Sequence, residues 1–240
     1  GLGVALVMLL FGGNLSAGNL TIGGSLSVII GAFTGALSVM AIILTISNRI
    51  RSSVMLLIAG IMISYLTSSA ITLLNFFSTA EGVHSYTMWG MGNFGGVTLS
   101  QLPFLTITNL TGIVIALLMI KPLNALLLGE QYAQNLGINI KRTRTLLLIA
   151  TGILVATTTA FCGPVSFIGL AVPHFARLLL KSNNHKSLMP VTILTGAAIA
   201  LLCNLISATP GNKGLIPLNA ITPFIGAPVI LYILLKNKGR

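Results

Sequence analysis

Residues Val54–Phe77 read VMLLIAGIMISYLTSSAITLLNFF, twenty-four positions without one charged side chain. A helix rises about 1.5 Å per residue, so about 20 apolar residues cross the hydrocarbon core of a bilayer. Inside hydrocarbon every backbone group must bond within its own segment, which makes a helix the expected form. The regular alternation of a membrane-barrel strand is absent.

Working outward from this stretch, six further runs have the same character: Ile22–Ile46, Leu102–Ile120, Leu146–Phe161, Val165–Leu180, Leu188–Ile206 and Leu218–Leu235. The opening run, Leu2–Phe11, has ten residues and is too short to span. No basic residue precedes it and no cleavage site follows it, so it is not read as a signal peptide. It reads as the end of a helix whose start is missing, and the chain as N-terminally truncated. The expected fold is therefore all-α, a polytopic membrane helical bundle of about eight segments forming a single domain over residues 1–240.

Composition agrees. Apolar residues make up 55% and charged residues 6% of the chain, with mean hydropathy +0.99, whereas about a quarter of the residues in a soluble domain are charged. The net charge of +11 does not point to nucleic acid, because the basic residues sit in gaps between apolar runs and not on one soluble face. No nucleic-acid partner is expected; the surroundings are lipid. Cys162 and Cys203 lie in apolar stretches and read as small buried hydrophobes.

Orientation follows from the basic residues, which favour cytoplasmic loops. Numbering the loops alternately puts twelve of the thirteen basic residues on one side, from Arg49 to Arg240, and leaves only Lys213 on the other. The C-terminus is then cytoplasmic, and so is the longest polar insert, LLLGEQYAQNLGINIKRTR at Leu126–Arg144. Gly129 and Gly137 bracket about two helical turns. Glu130 suits the positive end of the helix dipole, and Gly137 suits the left-handed position past a helix end. Tyr132, Ala133 and Leu136 are expected on one face. A helix this short is marginal alone in water, so it packs either on its own helix ends or on a partner at the cytoplasmic face.

Other features carry less. In VPHFAR, Pro173 offers packing or a hinge, and His174 and Arg177 lie three apart on one helix face. No second His, Cys or carboxylate stands at ligand spacing from His174, so no metal site is expected. His84 and His185 read as solvated loop residues. Gly31 and Gly35 have the spacing of close helix packing. Pro217, Pro223 and Pro228 make a straight last helix unexpected. FFSTAEG at Phe76–Gly82 ends a span with hydroxyls that can satisfy free carbonyls.

Several functions are disfavoured. An intramembrane enzyme needs paired carboxylates or a Ser–His arrangement, and an ion-coupled secondary carrier needs an acid within a span. The only acids, Glu81 and Glu130, lie between the apolar runs. No G-x-x-x-x-G-K-[ST] motif occurs, so ATP phosphates are not cradled on this chain in that way. The ion-coupled carrier is kept as the alternative reading.

LNALLLGEQYAQNLGINIKRTR, GPVSFIGLAVPHFARLLL and IGAPVILYILLK, with MWGMGNFGGVTLSQL before them, resemble the permeases of bacterial iron-siderophore, haem and cobalamin importers. These are the membrane subunits of ATP-binding-cassette uptake systems. The resemblance covers essentially the whole chain. It implies ten helices in the full protein, with the first two missing here, and a homodimer in the bacterial inner membrane. It also implies two cytoplasmic ATPase subunits, which bind ATP and magnesium, and an extracytoplasmic substrate-binding protein. No cofactor is expected on this chain. By resemblance, Gly129, Glu130, Tyr132, Ala133, Leu136 and Gly137 form the coupling helix against the ATPase. Ser78 and Thr79 would lie at the outer narrowing of the pore. The chain departs from the family at Asn204, Ala208, Leu215 and Asn219, where Asp, Arg, Glu and Gly are usual. On the outward face where the family docks acidic groups of its binding protein, it offers Lys213.

Overall fold

With no water to bond them, backbone polar groups at membrane depth must pair along the chain, and the molecule meets that demand almost wholly with helices. The structure, a computed structural model, describes residues 1–12, 15–17, 20–22, 24–49, 52–210 and 214–237. Arg51, Lys213, Lys238 and Arg240, used above for orientation, lie outside the described residues.

The chain opens with α1 (Leu2–Ala5), which continues as a π-helical turn over Leu6–Leu10. A small antiparallel ribbon follows, β1 (Leu15–Ala17) and β2 (Leu20–Ile22), with Ser16 opposite Thr21. Then come α2 (Ser25–Arg49), α3 (Ser53–Phe77), α4 (Ala80–Gly90), α5 (Leu102–Leu118), α6 (Ile120–Leu126) and α7 (Glu130–Asn135). The last four are α8 (Ile140–Cys162), α9 (Ile168–Leu180), α10 (His185–Ala208) and α11 (Leu218–Asn237).

Among the described residues four helices are long and apolar enough to cross a membrane: Leu26–Ser47, Val54–Phe77, Ile140–Cys162 and His185–Ala208. The broken pair α5 and α6 makes a fifth, and Ile168–Leu180 and Leu218–Leu231 are shorter apolar helices. With α1 these occupy the eight runs expected from sequence. Their side chains invert the soluble pattern: Leu66 is 77% exposed, Phe76 81% and Phe224 83%, as befits surfaces facing lipid. This is a multi-pass membrane protein.

Local signals set the helix ends. The Ser52 hydroxyl accepts from the Met55 N–H at 3.4 Å and starts α3, and Asn139 Oδ1 accepts from the Arg142 N–H at 2.9 Å and starts α8. Gly163, with φ 74°, stops α8. One feature departs from expectation: α4 is a helix where sequence suggested a loop, so His84 sits on a helix. α11 contains Pro223 and Pro228, while Pro217 precedes its first turn, where a missing N–H costs nothing.

The residues group into two compact units. The first holds Gly1–Gly90, Gly96–Ala116 and Asn139–Pro164. Its core is Val4, Val7, Val28, Ala32 and Ala160, with Phe33, Trp89 and Phe161 against it. α1 crosses α2 at glycines: a Cβ on Gly31 would stand 2.6 Å from Val7 Cγ2 and 2.8 Å from the Gly3 carbonyl oxygen. A Cβ on Gly3 would overlap the Gly31 carbonyl. The Gly31 and Gly35 spacing thus serves close packing as expected, with Gly3 as the third member.

The second unit holds Met91–Gly95, Leu117–Ile138 and Val165–Arg240. In it α9 packs against α10 and α11, and α6 packs against both α7 and α10. Cys203, Leu218 and Ile221 form its buried centre. Cys162 and Cys203 are both free thiols, half-buried and buried respectively. The Ser207 hydroxyl donates to the Ile216 carbonyl at 2.5 Å, and the Ile216 N–H donates back to the Ser207 carbonyl at 3.0 Å. That pair ties the end of α10 to the segment entering α11.

Candidate functional site

The six residues of α7 have backbone geometry at both ends that only small residues tolerate well. Gly129, the residue before the helix, has φ 104° and ψ 152°, a region essentially confined to glycine. Gly137 has φ 81°. Its N–H donates to the Gln134 carbonyl at 2.9 Å, and the Ile138 N–H donates to the Ala133 carbonyl at 3.0 Å. These two bonds together are a Schellman closure. Glu130 lies in the first turn, at the positive end of the helix dipole.

The expected contact face needs one correction. Tyr132 and Leu136, four residues apart, are 54% and 57% exposed and share a face. Ala133 is fully buried, at 0%. Ala133 is covered within the unit in which α7 packs on α6. The outward surface of α7 is therefore Tyr132 and Leu136, and Ala133 is its seat.

Sequence reading missed what holds α6. Asn124 Oδ1 accepts from the His185 backbone N–H at 2.8 Å and lies 2.9 Å from His185 Nδ1. Asn124 Nδ2 donates to Asn184 Oδ1 at 2.9 Å, and Asn184 Oδ1 also accepts from the Lys186 N–H at 2.9 Å, capping α10. Since Oδ1 only accepts, the imidazole carries its proton on Nδ1. His185 is thus the half-buried first residue of α10 and not a solvated loop residue. An Asn inside the apolar run LNALLL was the available signal; its partners lie some sixty positions on. The result is a chain of contacts within one unit, α7 on α6 and α6 pinned to α10.

Ser78 and Thr79 lie at the junction of α3 and α4. The Ser78 hydroxyl donates to the Leu9 carbonyl at 3.0 Å, and Thr79 Oγ1 accepts from the Gly82 N–H at 3.2 Å. Both hydroxyls therefore satisfy backbone at helix ends. Thr79 also lines a cavity of about 470 Å³ with Glu81, Ser85, Trp89, Gln101 and Phe161. Among the described residues the indole Nε1 of Trp89 is buried there without a partner. His174 and Arg177 are exposed on α9, which continues through Pro173. Of the positions where the chain departs from the importer pattern, Asn204, Ala208 and Leu215 are exposed. Asn219 Oδ1 accepts from the Ser166 N–H at 3.0 Å and from its hydroxyl at 2.9 Å. No group of three or more His, Cys, Asp or Glu side chains gathers among the described residues.

Comparison with known proteins places these elements in a family context. A family model described as the FecCD transport family matches residues 1–236. The vitamin B12 import system permease protein BtuC of Klebsiella pneumoniae subsp. pneumoniae is 36% identical over 209 residues, covering 87% of this chain and 62% of that protein. Its counterpart in Photorhabdus laumondii is 34% identical over 217 residues, covering 87% of this chain and 62% of that protein. The chain thus spans about 62% of the length of these curated relatives. A solved structure described as an inward-facing metal-chelate type ABC transporter aligns with TM-score 0.86 and 29% identity, over 98% of this chain and 72% of that one.

Proposed function

This chain belongs to the FecCD transport family, and from that premise we propose that it is the membrane-spanning permease of an ATP-binding-cassette importer. Its cargo is a metal chelate of the cobalamin, haem or iron-siderophore kind, the first of these being what the BtuC relatives are named for. The chain works as one permease domain beside a second copy of itself, in the bacterial inner membrane with its C-terminus cytoplasmic. Two cytoplasmic ATPase subunits bind ATP and magnesium, and an extracytoplasmic binding protein delivers the cargo. The chain itself moves cargo and performs no bond chemistry.

The observation that carries this reading is α7: too short to stand alone, seated through Ala133 and presenting Tyr132 and Leu136. In the proposed mechanism this face fits the ATPase. Displacement of α7 passes through α6 and the hydrogen-bonded side chain of Asn124 to the first turn of α10. Thr79 stands at the outer end of the path, and Pro173, which cannot donate a helix hydrogen bond, is where α9 yields.

The test is Leu136→Arg. This residue is exposed, so stability should change by less than about 0.5 kcal/mol. Co-purification with the ATPase and cargo uptake should both be lost. A variant that binds the ATPase and imports normally would make α7 a local packing element and remove the support for this coupling route. Ala133→Arg would not separate these outcomes, because it would unseat the helix from within.

A further inference from the structure

The joint between α9 and α10 gathers positive charge. Arg177 lies in the last turn of α9, and Lys181, four residues on, donates its backbone N–H to the Arg177 carbonyl at 2.8 Å. Arg177 is close enough to His185 for its charge to act on the imidazole. Lys186 follows in the first turn of α10. Asn124 ties α6 to the same place through Asn184 and His185. Lys121 stands three residues before Asn124, on the same face of α6. All four cations are exposed. The whole second unit has one acid to set against them, Glu130 on α7.

Two of these cations occupy unfavourable seats. The first turn of a helix carries partial positive charge, which an acid relieves and a lysine adds to. In α10 that turn holds no acid and does hold Lys186. Lys181 has φ 51° and ψ 29°, a left-handed position usually filled by glycine or asparagine. Among the described residues only one other non-glycine residue, Phe167, has a positive φ. The preference of basic residues for cytoplasmic loops explains on which side these charges lie. It explains neither their meeting at one joint nor their unfavourable seats, and a bound anion explains both.

The joint also caps the membrane-crossing helix His185–Ala208, which puts it at headgroup depth. The adjoining lengths of α9 and α10 expose Leu179 by 59% and Leu194 by 69%, apolar surface on which acyl chains can lie. A soluble anion would use the charge alone, whereas an anionic phospholipid uses charge and apolar surface together. We propose that the joint of α6, α9 and α10 binds the headgroup of an anionic phospholipid, with Arg177, Lys181, Lys186 and Lys121 around its phosphodiester. The site depends on neither the cargo nor the ATPase.

The delipidated chain in mild detergent would be mixed with phosphatidylglycerol or with phosphatidylcholine of the same acyl chains, and bound lipid counted by native mass spectrometry. Phosphatidylglycerol should be retained the better of the two. Each cation removed should lower its retention about fivefold, the worth of one basic residue near an anionic headgroup. Lys186→Gln should show that single loss, and Lys181→Gln with Lys186→Gln a loss of about 25-fold. Replacing both by Arg should keep retention. Lys141→Gln with Arg142→Gln, on α8, removes the same net charge elsewhere and should leave retention unchanged. Equal retention of the two lipids by the wild-type chain would overturn the proposal. An equal loss in the α8 variant would overturn it too, by reducing the effect to net charge. Inorganic phosphate at the lipid's concentration should displace none of it, and displacement would assign these cations to a soluble anion instead. A Lys181→Gln, Lys186→Gln chain that keeps phosphatidylglycerol but loses the ATPase would make the joint a protein interface and sink the lipid site.

Discussion

Glycine does opposite work in the two units. At the crossing of α1 and α2, Gly3, Gly31 and Gly35 sit where two backbones touch, and what matters is the missing side chain. Around α7, Gly129 and Gly137 have nothing within 4 Å of where a Cβ would stand. What matters there is the sign of φ, 104° and 81°. The first kind of glycine is fixed by neighbours and the second by the chain's own path. Substitutions at the first should be felt through the packed core, and at the second only through a local element.

The largest effect is expected at Gly3. Gly3→Ala puts a methyl group into the Gly31 carbonyl, and backbone cannot step aside as a flexible side chain can. The cost should reach or pass the upper end of the usual overpacking range of about 1–3 kcal/mol. A thermal unfolding midpoint in detergent equal to that of the wild-type chain would show that α1 can lift off α2 freely, and the contrast would collapse. Next comes Gly129→Ala, which forces an L-residue into a backbone region costing about 1–3 kcal/mol. Here the global midpoint should hold while hydrogen exchange of residues 130–138 quickens. A global loss would mean that α7 is part of the core. Smallest is Gly137, a left-handed position. Gly137→Ala should cost about 1–2 kcal/mol, and Gly137→Asn less, since Asn tolerates this region. Equal exchange rates for the two variants would indicate that contacts, and not φ, set this glycine.

The same division explains what could be read in advance. Gly137 was legible because a left-handed residue just past a helix end is a local requirement, whereas Gly129 was legible only as the other boundary of the short helix and its φ of 104° was not. Gly31 and Gly35 were legible as a pair by their spacing, but their partner Gly3 lies on another helix. The inward turn of Ala133 was not legible, because it depends on α6 and not on the periodicity of a two-turn helix. α4 escaped notice because AEGVHSYTMWG is too polar and too short to show an apolar run. Asn124 could be seen as an oddity in an apolar stretch, yet its role is defined by Asn184 and His185, which the linear pattern cannot bring near. The family membership and the multi-pass helical bundle were legible because composition and several motifs in order constrain them together.

α3 has a consequence for how the molecule is made. Among the described residues, none of its membrane-crossing stretch Val54–Phe77 is fully buried by the rest of the chain, so its helix does not depend on enclosure by the chain's other helices. Such a segment can partition into the bilayer as an independent helix before any tertiary partner exists, the first stage of a two-stage assembly. Its fate during biogenesis is then set by insertion energetics, where one central Asp or Lys costs about 2.5–3.5 kcal/mol. Cells reading this stretch judge it by hydropathy alone, well before packing has any say.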